Sequence, residues 1–398
     1  MKLTSFHEGS VEPQESGRAV RIEFMAMLMG AALAVLGLKL AGTGEQTNFE
    51  DAALSRESTA EYASVDGRLI HCKDGRDVDI CLAGSKARGA VRSVLWLGNS
   101  QVHAVNQQKP GETNAPPILF RLLSARGLDL ITLTQPNANL EEHYVLFEYV
   151  RHHSPTRVLI LPAVFDDMRE EGLRADVAIL TKDPETRVAL ERTAVGAMLL
   201  RSAQAADGEN IDTKGISGTP QEKMESAVNN WLAGHSELWA SRPELRGRFL
   251  LSLFFARNMI FGIKPTTKRK VIRGRYEANF AALEATLQAG REDGIKAILY
   301  IAPLRGGVEI PYERSEYEKF KLDVARIASS YGARFANLET LVPDNLWGMK
   351  PNTSLEEGEE LDFMHFQAAG HGLLATRLDD LVGEVLAARG NRKSSAQP

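Results

Sequence analysis

A serine, an aspartate and a histidine stand out as a possible catalytic set. Ser100 comes just after an apolar run and Gly98, and Asp362 stands three residues before His365 near the C-terminus. A serine hydroxyl needs a neighbouring base to attack at neutral pH, and a histidine can supply it. A nearby carboxylate fixes the tautomer of the ring and stabilises the imidazolium. The three residues therefore predict acyl-transfer chemistry, with Ser100 as nucleophile, His365 as base and Asp362 as the partner of the base.

Alternating apolar strands and helices must position these residues. The predicted strands are Ser93–Leu97, Leu128–Thr134, Arg157–Pro162, Lys296–Ile301 and Ala333–Leu338. The predicted helices between and after them are Pro116–Gly127, Leu140–His152, Glu316–Tyr331 and Phe366–Arg389. This order predicts an α/β fold with a five-stranded parallel sheet and helices on both faces. Active sites of such sheets lie at the carboxyl ends of the strands, which is where Ser100 falls.

The α/β pattern covers residues 93–389, and residues 390–398 form a polar tail. It is interrupted at about residues 168–290, which have helical periodicity and little strand pattern, so a helical insertion is predicted there. Within it, Phe249–Ile263 is strongly apolar. Two interpretations are open for this run: a core helix of the insertion, or a surface that faces a membrane or a partner.

The N-terminal region predicts a membrane anchor. Residues 24–44 contain a single charged residue, Lys39, and Arg18 and Arg21 precede them. This length and charge distribution favour an uncleaved transmembrane helix with a cytoplasmic N-terminus, so residues 1–45 would be tail and anchor. A cleaved signal peptide and a buried core helix are the alternatives. The anchor would place the rest of the chain in the periplasm, or otherwise outside the cytoplasm.

Residues 46–92 are polar and rich in glycine, serine and aspartate, which predicts a tether rather than core. They contain the only two cysteines, Cys72 and Cys81. These are either two unrelated thiols or a small disulfide loop, and a disulfide requires an oxidising compartment. A catalytic domain outside the cytoplasm makes the disulfide the favoured interpretation.

Composition excludes several classes of protein. Hydrophobic residues make up 43% of the chain and charged residues 25%, as expected of a globular protein. The net charge of −5 argues against a general nucleic-acid binder, which would carry a basic face. The chain has none of the common metal-binding or nucleotide-binding motifs, so no metal and no cofactor is expected.

The candidate catalytic residues resemble the sequence blocks of a known family. Gly98-Asn99-Ser100-Gln101 resembles the Gly-Asp-Ser-Leu block of the GDSL/SGNH hydrolases, and Asp362-x-x-His365 is similar to their C-terminal block. The resemblance covers residues 93–174 and 296–389. It implies a flavodoxin-like three-layer sandwich and the same catalytic roles for Ser100, Asp362 and His365.

The sequence departs from the family where an oxyanion hole is expected. The family uses a glycine N–H in its second block, where this chain has Asn137-Ala138-Asn139. The family's third block supplies an asparagine side chain, where this chain has Phe165. The donor candidates are therefore the backbone N–H groups of Ser100 and Ala138 and the side chains of Asn137 and Asn139.

Four further residues are candidates for substrate binding. Asp166, Asp167 and Arg169 follow the third predicted strand, and Arg305 follows the fourth. They would contact a polar or anionic substrate at the carboxyl edge of the sheet. The alternative is that Asp166, Asp167 and Arg169 form a salt-bridge network within their loop.

Together with the predicted anchor, the resemblance implies an extracytoplasmic acyl esterase or O-acyltransferase. Its substrate would be a glycan of the cell surface, a secreted polysaccharide or an acylated small molecule, reacting through a Ser100 acyl-enzyme. By analogy with polysaccharide-acetylation systems, the anchored chain would have a membrane-bound O-acyltransferase as partner. The alternative is a non-catalytic SGNH-like module that binds glycan or acts as a scaffold in a polysaccharide modification or secretion complex.

Overall fold

The computed structural model describes residues 58–73, 75–209, 268–351 and 359–394. The strands are β1 (Thr59–Ala60), β2 (Ser64–Val65), β3 (Arg68–Leu69), β4 (His71–Cys72), β5 (Ser93–Gly98), β6 (Ala104–Val105), β7 (Asp129–Thr134), β8 (Thr156–Ala163), β9 (Lys296–Ile301), β10 (Arg334–Asn337), β11 (Trp347–Pro351) and β12 (Glu359–Phe366). The helices are α1 (Val78–Ala87), α2 (Ser100–His103), α3 (Ala115–Ser124), α4 (Leu140–His153), α5 (Ala175–Ala178), α6 (Pro184–Glu191), α7 (Ala194–Glu209), α8 (Arg273–Glu292), α9 (Arg314–Tyr331) and α10 (Ala368–Ser394).

The centre of the fold is a parallel sheet of six strands in the order β10-β9-β8-β5-β7-β4. This confirms the predicted α/β class with a parallel sheet. The five predicted strands have the spatial order β7-β5-β8-β9-β10, which is the order of flavodoxin-like folds. After β5 the chain adds β7 on one side of it and then crosses to add β8, β9 and β10 on the other side. The crevice at the carboxyl ends of β5 and β8 is therefore the expected position of a ligand site.

Helices cover both faces of the sheet and give three layers. On one face α1, α4, α8 and α9 bury residues such as Phe147, Leu283 and Phe320 against the strands. On the other face α3 and α10 bury residues such as Leu119 and Leu378. The central strands are buried on both sides, which explains why they appear in the sequence as continuous apolar runs.

Two predicted features of the N-terminal half are corrected. The sheet has a sixth strand, β4, which pairs with β7 through the partners His71↔Thr132 and Cys72↔Leu133. The described part of the predicted tether is therefore packed on the domain rather than free of it. Cys72 and Cys81 form a disulfide that joins β4 to α1, and both are completely buried.

The predicted insertion is partly corrected. α5, α6 and α7 lie within its predicted bounds, but α8 is a crossover helix of the sheet between β8 and β9. Its residues Phe280 and Leu283 belong to the main core, so residues 273–292 are not inserted material. Residues 210–267, with the apolar run Phe249–Ile263, lie outside the described part of the chain.

The C-terminal part contains a hairpin that the sequence pattern did not predict. β11 and β12 pair antiparallel, and Asp362 and His365 both lie on β12. The closing helix begins at Ala368 rather than Phe366, because Phe366 is the last residue of that strand.

The predicted membrane anchor at residues 24–44 also lies outside the described residues. Among the helices of the described residues, none is long and apolar enough to span a bilayer.

Candidate active site

The structure brings Ser100, His365 and Asp362 together as a hydrogen-bonded triad. His365 Nε2 lies 3.0 Å from Ser100 Oγ, and His365 Nδ1 lies 3.0 Å from Asp362 Oδ2. Ser100 is half-buried, while Asp362 and His365 are buried. Because an ionised carboxylate can only accept, Nδ1 must donate to Asp362. Nε2 is then left to accept the proton of the serine hydroxyl.

Asp362 is ionised and held by four donors. Its Oδ1 accepts from the backbone N–H groups of Met364 and His365 at 2.9 and 3.0 Å. Its Oδ2 accepts from the His365 ring and from Asn106 Nδ2, the latter at 3.1 Å. Burial alone would raise the pKa of Asp362, but the His365 ring and these N–H groups outweigh it, so the pKa lies below its ordinary value. The carboxylate is therefore charged at neutral pH, where His365 acts as the base.

The segment that carries Ser100 turns sharply from β5 into α2. A Cβ on Gly98 would lie 2.7 Å from Val102 Cγ2, so any other residue here would force the Val102 side chain to move. Asn99 then begins α2, because its side-chain oxygen accepts from the backbone N–H of Gln101 at 3.1 Å. Ser100 is the first residue of α2, so its own N–H has no acceptor within the helix. That N–H is available to a substrate oxygen.

Gln101 connects the nucleophile to the strand of the base, a role that the sequence did not reveal. It is 2% exposed, and its Nε2 donates to the carbonyls of Pro303 and Met364, both at 2.8 Å. Met364 immediately precedes His365. One side chain therefore ties α2 to the loop after β9 and to β12, so that Ser100 and His365 keep their separation.

Asn106 and Arg305 hold the hairpin of Asp362. Asn106 Nδ2 donates to the Met349 carbonyl at 3.0 Å as well as to Asp362. Arg305 Nη1 donates to the Gly348 carbonyl at 2.8 Å, and the Arg305 N–H donates to the Phe363 carbonyl at 3.2 Å. The guanidinium of Arg305, predicted to bind substrate, thus binds the hairpin backbone. We reassign it as a positioning residue for the triad.

Two of the predicted oxyanion donors are corrected. Asn139 is completely buried and caps α4 in a capping box with Glu142, while its Nδ2 donates to the Gly172 carbonyl at 2.9 Å. The Ala138 N–H donates to the Gln135 carbonyl at 3.3 Å and is occupied by that turn. Asn137 is exposed, with a left-handed φ of 51°, and its role as a donor stays a prediction.

The third block is held by aromatic packing and by an ion-pair network that extends beyond its own loop. Phe165 is 1% exposed and packs against the rings of Tyr312, Tyr317 and Phe320, so it belongs to the core. Asp166 forms an ion pair with Arg269 and accepts a hydrogen bond from the Tyr312 hydroxyl at 3.0 Å.

Arg169 is held in the same network. Its Nη1 lies 3.8 Å from Asp166 Oδ1, and its Nε donates to the Lys270 carbonyl at 3.0 Å. Asp166 and Arg169 are therefore not positioned to bind substrate as predicted. Asp167 faces the other way and accepts a hydrogen bond from Asn99 Nδ2 at 2.9 Å.

Neutral buried histidines surround the site. His71 Nε2 and His103 Nδ1 both hydrogen-bond Thr134 Oγ1, at 2.7 and 3.0 Å. His371 Nε2 donates to the Ala104 carbonyl, and His143 Nε2 lies 3.3 Å from the Gly98 carbonyl. Burial lowers the pKa of His71 and of His371 to about 3 and that of His143 to about 4, and lowers the pKa of His103 well below its ordinary value. At neutral pH these rings are uncharged and do not compete with His365 for Asp362.

The arrangement can perform nucleophilic acyl transfer. Ser100 has a base within hydrogen-bond reach, the base has an ionised orienter, and the Ser100 N–H can donate to an oxyanion. Within residues 58–73, 75–209, 268–351 and 359–394, no group of three or more His, Cys, Asp or Glu side chains could hold a metal ion.

Comparisons with known proteins give only distant structural likenesses. No family model matches the sequence, and no curated protein matches it. A putative arylesterase from Agrobacterium tumefaciens is 10% identical, with a TM-score of 0.32, covering 74% of this chain and 99% of that one. An acetylxylan esterase from Geobacillus stearothermophilus is 11% identical, with a TM-score of 0.35, covering 74% and 95%. A GDSL-like lipase from Bacteroides thetaiotaomicron is 9% identical, with a TM-score of 0.34, covering 78% and 100%. Likenesses this weak carry no conclusion about the activity of this chain.

Proposed function

We propose that this chain is an SGNH-type serine acyl hydrolase that opens carboxylic ester bonds through a Ser100 acyl-enzyme. The observation that carries the proposal is the continuous hydrogen-bonded path from Ser100 Oγ to His365 and on to Asp362, with 3.0 Å at each step. The other buried histidines described above, His71, His103, His143 and His371, hydrogen-bond backbone carbonyls or Thr134 instead. Only His365 joins a nucleophile to a carboxylate among the described histidines.

The geometry assigns each step of the reaction. Ser100 Oγ attacks the acyl carbon, and its proton passes to His365 Nε2 while the carbonyl electron pair moves onto oxygen. Asp362 stabilises the imidazolium through Nδ1–H, and the Ser100 N–H donates to the oxyanion. When the tetrahedral intermediate collapses, the alcohol leaves with the proton of His365. A second nucleophile then repeats the sequence in reverse and releases the acyl group.

The second nucleophile is water in an esterase and a sugar hydroxyl in an O-acyltransferase. We propose a polysaccharide or another glycan as the substrate, by analogy with membrane-anchored SGNH-like proteins, which resemble parts of polysaccharide-acetylation systems. Both reactions share the acyl-enzyme, so the triad supports them equally. The competition between water and an added alcohol distinguishes them experimentally.

We further propose that the catalytic domain works outside the cytoplasm, held by an anchor at residues 24–44. The Cys72–Cys81 disulfide supports this location, because disulfides persist in oxidising compartments and are rare in the cytosol. A membrane-bound O-acyltransferase as partner remains part of this proposal. It predicts that such an enzyme copurifies with the full chain from membranes.

A non-catalytic glycan-binding or scaffolding module is the second candidate. The positions of Asn139 and Phe165 favour it, because neither supplies the oxyanion donor that a serine hydrolase of this type would use. An intact triad without turnover would be the expected finding for such a module.

Hydrolysis of p-nitrophenyl acetate by the full-length chain in detergent decides between the two. The hydrolase predicts saturable turnover that falls by about 10³-fold or more in Ser100→Ala. Equal rates for the two proteins would exclude Ser100 as the nucleophile. The matched control is Ser330→Ala, since Ser330 is an exposed residue near the end of α9. It should hydrolyse the ester like the wild type.

A further inference from the structure

The crevice between the carboxyl ends of β5 and β8 contains a pair of polar residues that the triad does not use. Asn99 lies at the end of β5, next to Ser100, and Asp167 lies in the loop after β8. Asn99 Nδ2 donates to Asp167 Oδ2 at 2.9 Å. Asn99 also accepts from the Gln101 N–H, so its amide orientation is fixed and Asp167 must be the acceptor of this bond.

Asp167 is a buried acid with one oxygen left over. It is 3% exposed, and Asn99 is the only hydrogen-bond partner of its carboxyl group among the described residues. Its Oδ1 therefore carries either an uncompensated part of a negative charge or a proton. The first arrangement is costly in a buried site, so the second is expected.

The surrounding charges favour the protonated form. Burial raises the pKa of Asp167 well above its ordinary value, and the negative charges of Asp166 and Glu170 raise it further. The Asn99 amide and the Arg174 guanidinium act in the opposite direction and are outweighed. Arg174 is itself paired with Glu142 at 2.7 Å, and the adjoining helix α8 presents Arg275, which is paired with Glu171. No free cation of the described residues faces Asp167 to ionise it.

We propose that Asp167 acts as a neutral carboxylic acid and donates its Oδ1–H to the oxyanion formed during attack by Ser100. Asp167 would replace the side-chain donor that Phe165 cannot supply. This proposal rests on the proposed hydrolase function. The proton stays on Asp167 throughout: the hydrogen bond strengthens as charge develops on the substrate oxygen, and it weakens again when the intermediate collapses. Asn99 orients the acid by holding its other oxygen.

Asp167 lies at the same edge of the sheet as Ser100. β5 and β8 are parallel neighbours in register, with Trp96 opposite Ile160, so their carboxyl ends lie side by side. Asp167 is joined to the residue before Ser100 by a single hydrogen bond.

An isolated buried acid also destabilises the fold at neutral pH, because the unfolded chain can ionise it. The amide of an asparagine would make the same contacts without that cost.

Labelling of Ser100 by a fluorophosphonate tests the proposal, since the phosphoryl oxygen occupies the place of the oxyanion. We expect Asp167→Leu to slow labelling by about 100- to 1000-fold, the loss found when one oxyanion donor is removed. Asp167→Asn keeps a donor in the same place and should label within about tenfold of the wild type. Circular dichroism of each variant checks that it is folded.

The pH profile separates a donor from a merely structural acid. In the wild type, labelling should fall at alkaline pH as Asp167 loses its proton, and Asp167→Asn should lack this fall. Glu170→Gln is the matched control. It removes a negative charge that raises the pKa of Asp167, so the alkaline fall should move to lower pH.

The outcomes are distinguishable from failure of the proposed function. If wild-type Ser100 is not labelled at all, the hydrolase proposal itself fails. If the wild type is labelled and folded Asp167→Leu is labelled as fast, Asp167 is not an oxyanion donor. If Asp167→Asn is as slow as Asp167→Leu, or keeps the alkaline fall, the neutral-acid role is also overturned.

Discussion

Asn106 Nδ2 lies 3.1 Å from Asp362 Oδ2 and joins the segment after the nucleophile helix to the carboxylate of the triad. The same nitrogen donates to the Met349 carbonyl on the facing strand of the hairpin. Asn106 is completely buried, so water cannot replace either bond. The orientation of Asp362 therefore depends on a residue that takes no part in proton transfer.

Replacing Asn106 by leucine should lower kcat for p-nitrophenyl acetate by about 10- to 100-fold, with little change in KM. Hydrogen bonds to charged groups contribute about 1.5–3 kcal/mol, and the bond lost here is to Asp362, which stabilises the imidazolium.

Gly348→Ala should have the same effect without touching the triad, because a Cβ there would lie 2.0 Å from Asn106 Oδ1. Gly372→Ala on α10 is the control, since its Cβ meets nothing within 4 Å. An unchanged kcat in Asn106→Leu would contradict this coupling.

Replacing Gln101 by leucine, the residue of the family's first block, should lower both stability and activity. The carbonyls of Pro303 and Met364 would lose their buried donor, at a cost of about 1–3 kcal/mol in the free energy of unfolding. Urea denaturation and kcat would be measured on the same samples. Full activity in a protein destabilised to this extent would show that the link between α2 and β12 does not position the triad.

The neutral histidines predict instability in acid. His71 and His371 have pKa values of about 3 in the folded protein, whereas an unfolded histidine titrates near 6.5. Between these values only the unfolded chain binds the protons, so stability is lost as the pH falls below about 6.5. At pH 5 each buried histidine should cost about 2 kcal/mol relative to neutral pH.

Urea denaturation at pH 7.5 and pH 5 measures this loss. His371→Gln can still donate to the Ala104 carbonyl and should lose less stability over this range than the wild type. Equal losses in the two proteins would show that His371 is protonated in the folded state.

The disulfide should stabilise the fold by about 2–3 kcal/mol, because it closes a short loop of the unfolded chain. Both sulfurs are buried, so dithiothreitol should not change the native protein but should lower its melting temperature. The double variant Cys72→Ala/Cys81→Ala should melt at that lower temperature with or without dithiothreitol. The same wild-type melting temperature with and without dithiothreitol would contradict the presence of the disulfide.

Long apolar patterns in the sequence predicted the five main strands of the sheet, whereas the short elements were not predicted. Residues 94–97 of β5 and 158–163 of β8 are fully buried and apolar, so they form continuous apolar runs. β4 has only two residues and lies on the edge of the sheet, which leaves no pattern to recognise. The triad was predictable because its residue types and order resemble family blocks, although Ser100 and His365 are 265 residues apart.

The supporting residues were not predictable in the same way, with one exception. Asn106 and Gln101 act through contacts with residues more than 200 positions away, and no local pattern records such contacts. Asn139 did have a local pattern: an asparagine three residues before Glu142, at the start of a helix, is the signature of a capping box. Read that way, the sequence would have assigned Asn139 to the helix rather than to the oxyanion hole.

The most direct test of the catalytic assignment is to trap the acyl-enzyme. Wild-type protein mixed with p-nitrophenyl acetate and quenched rapidly in acid should carry one acetyl group on the peptide that contains Ser100, and His365→Ala should carry almost none. An acetyl group found mainly on another residue, or an equal amount in both proteins, would contradict the assignment of Ser100 as a nucleophile activated by His365.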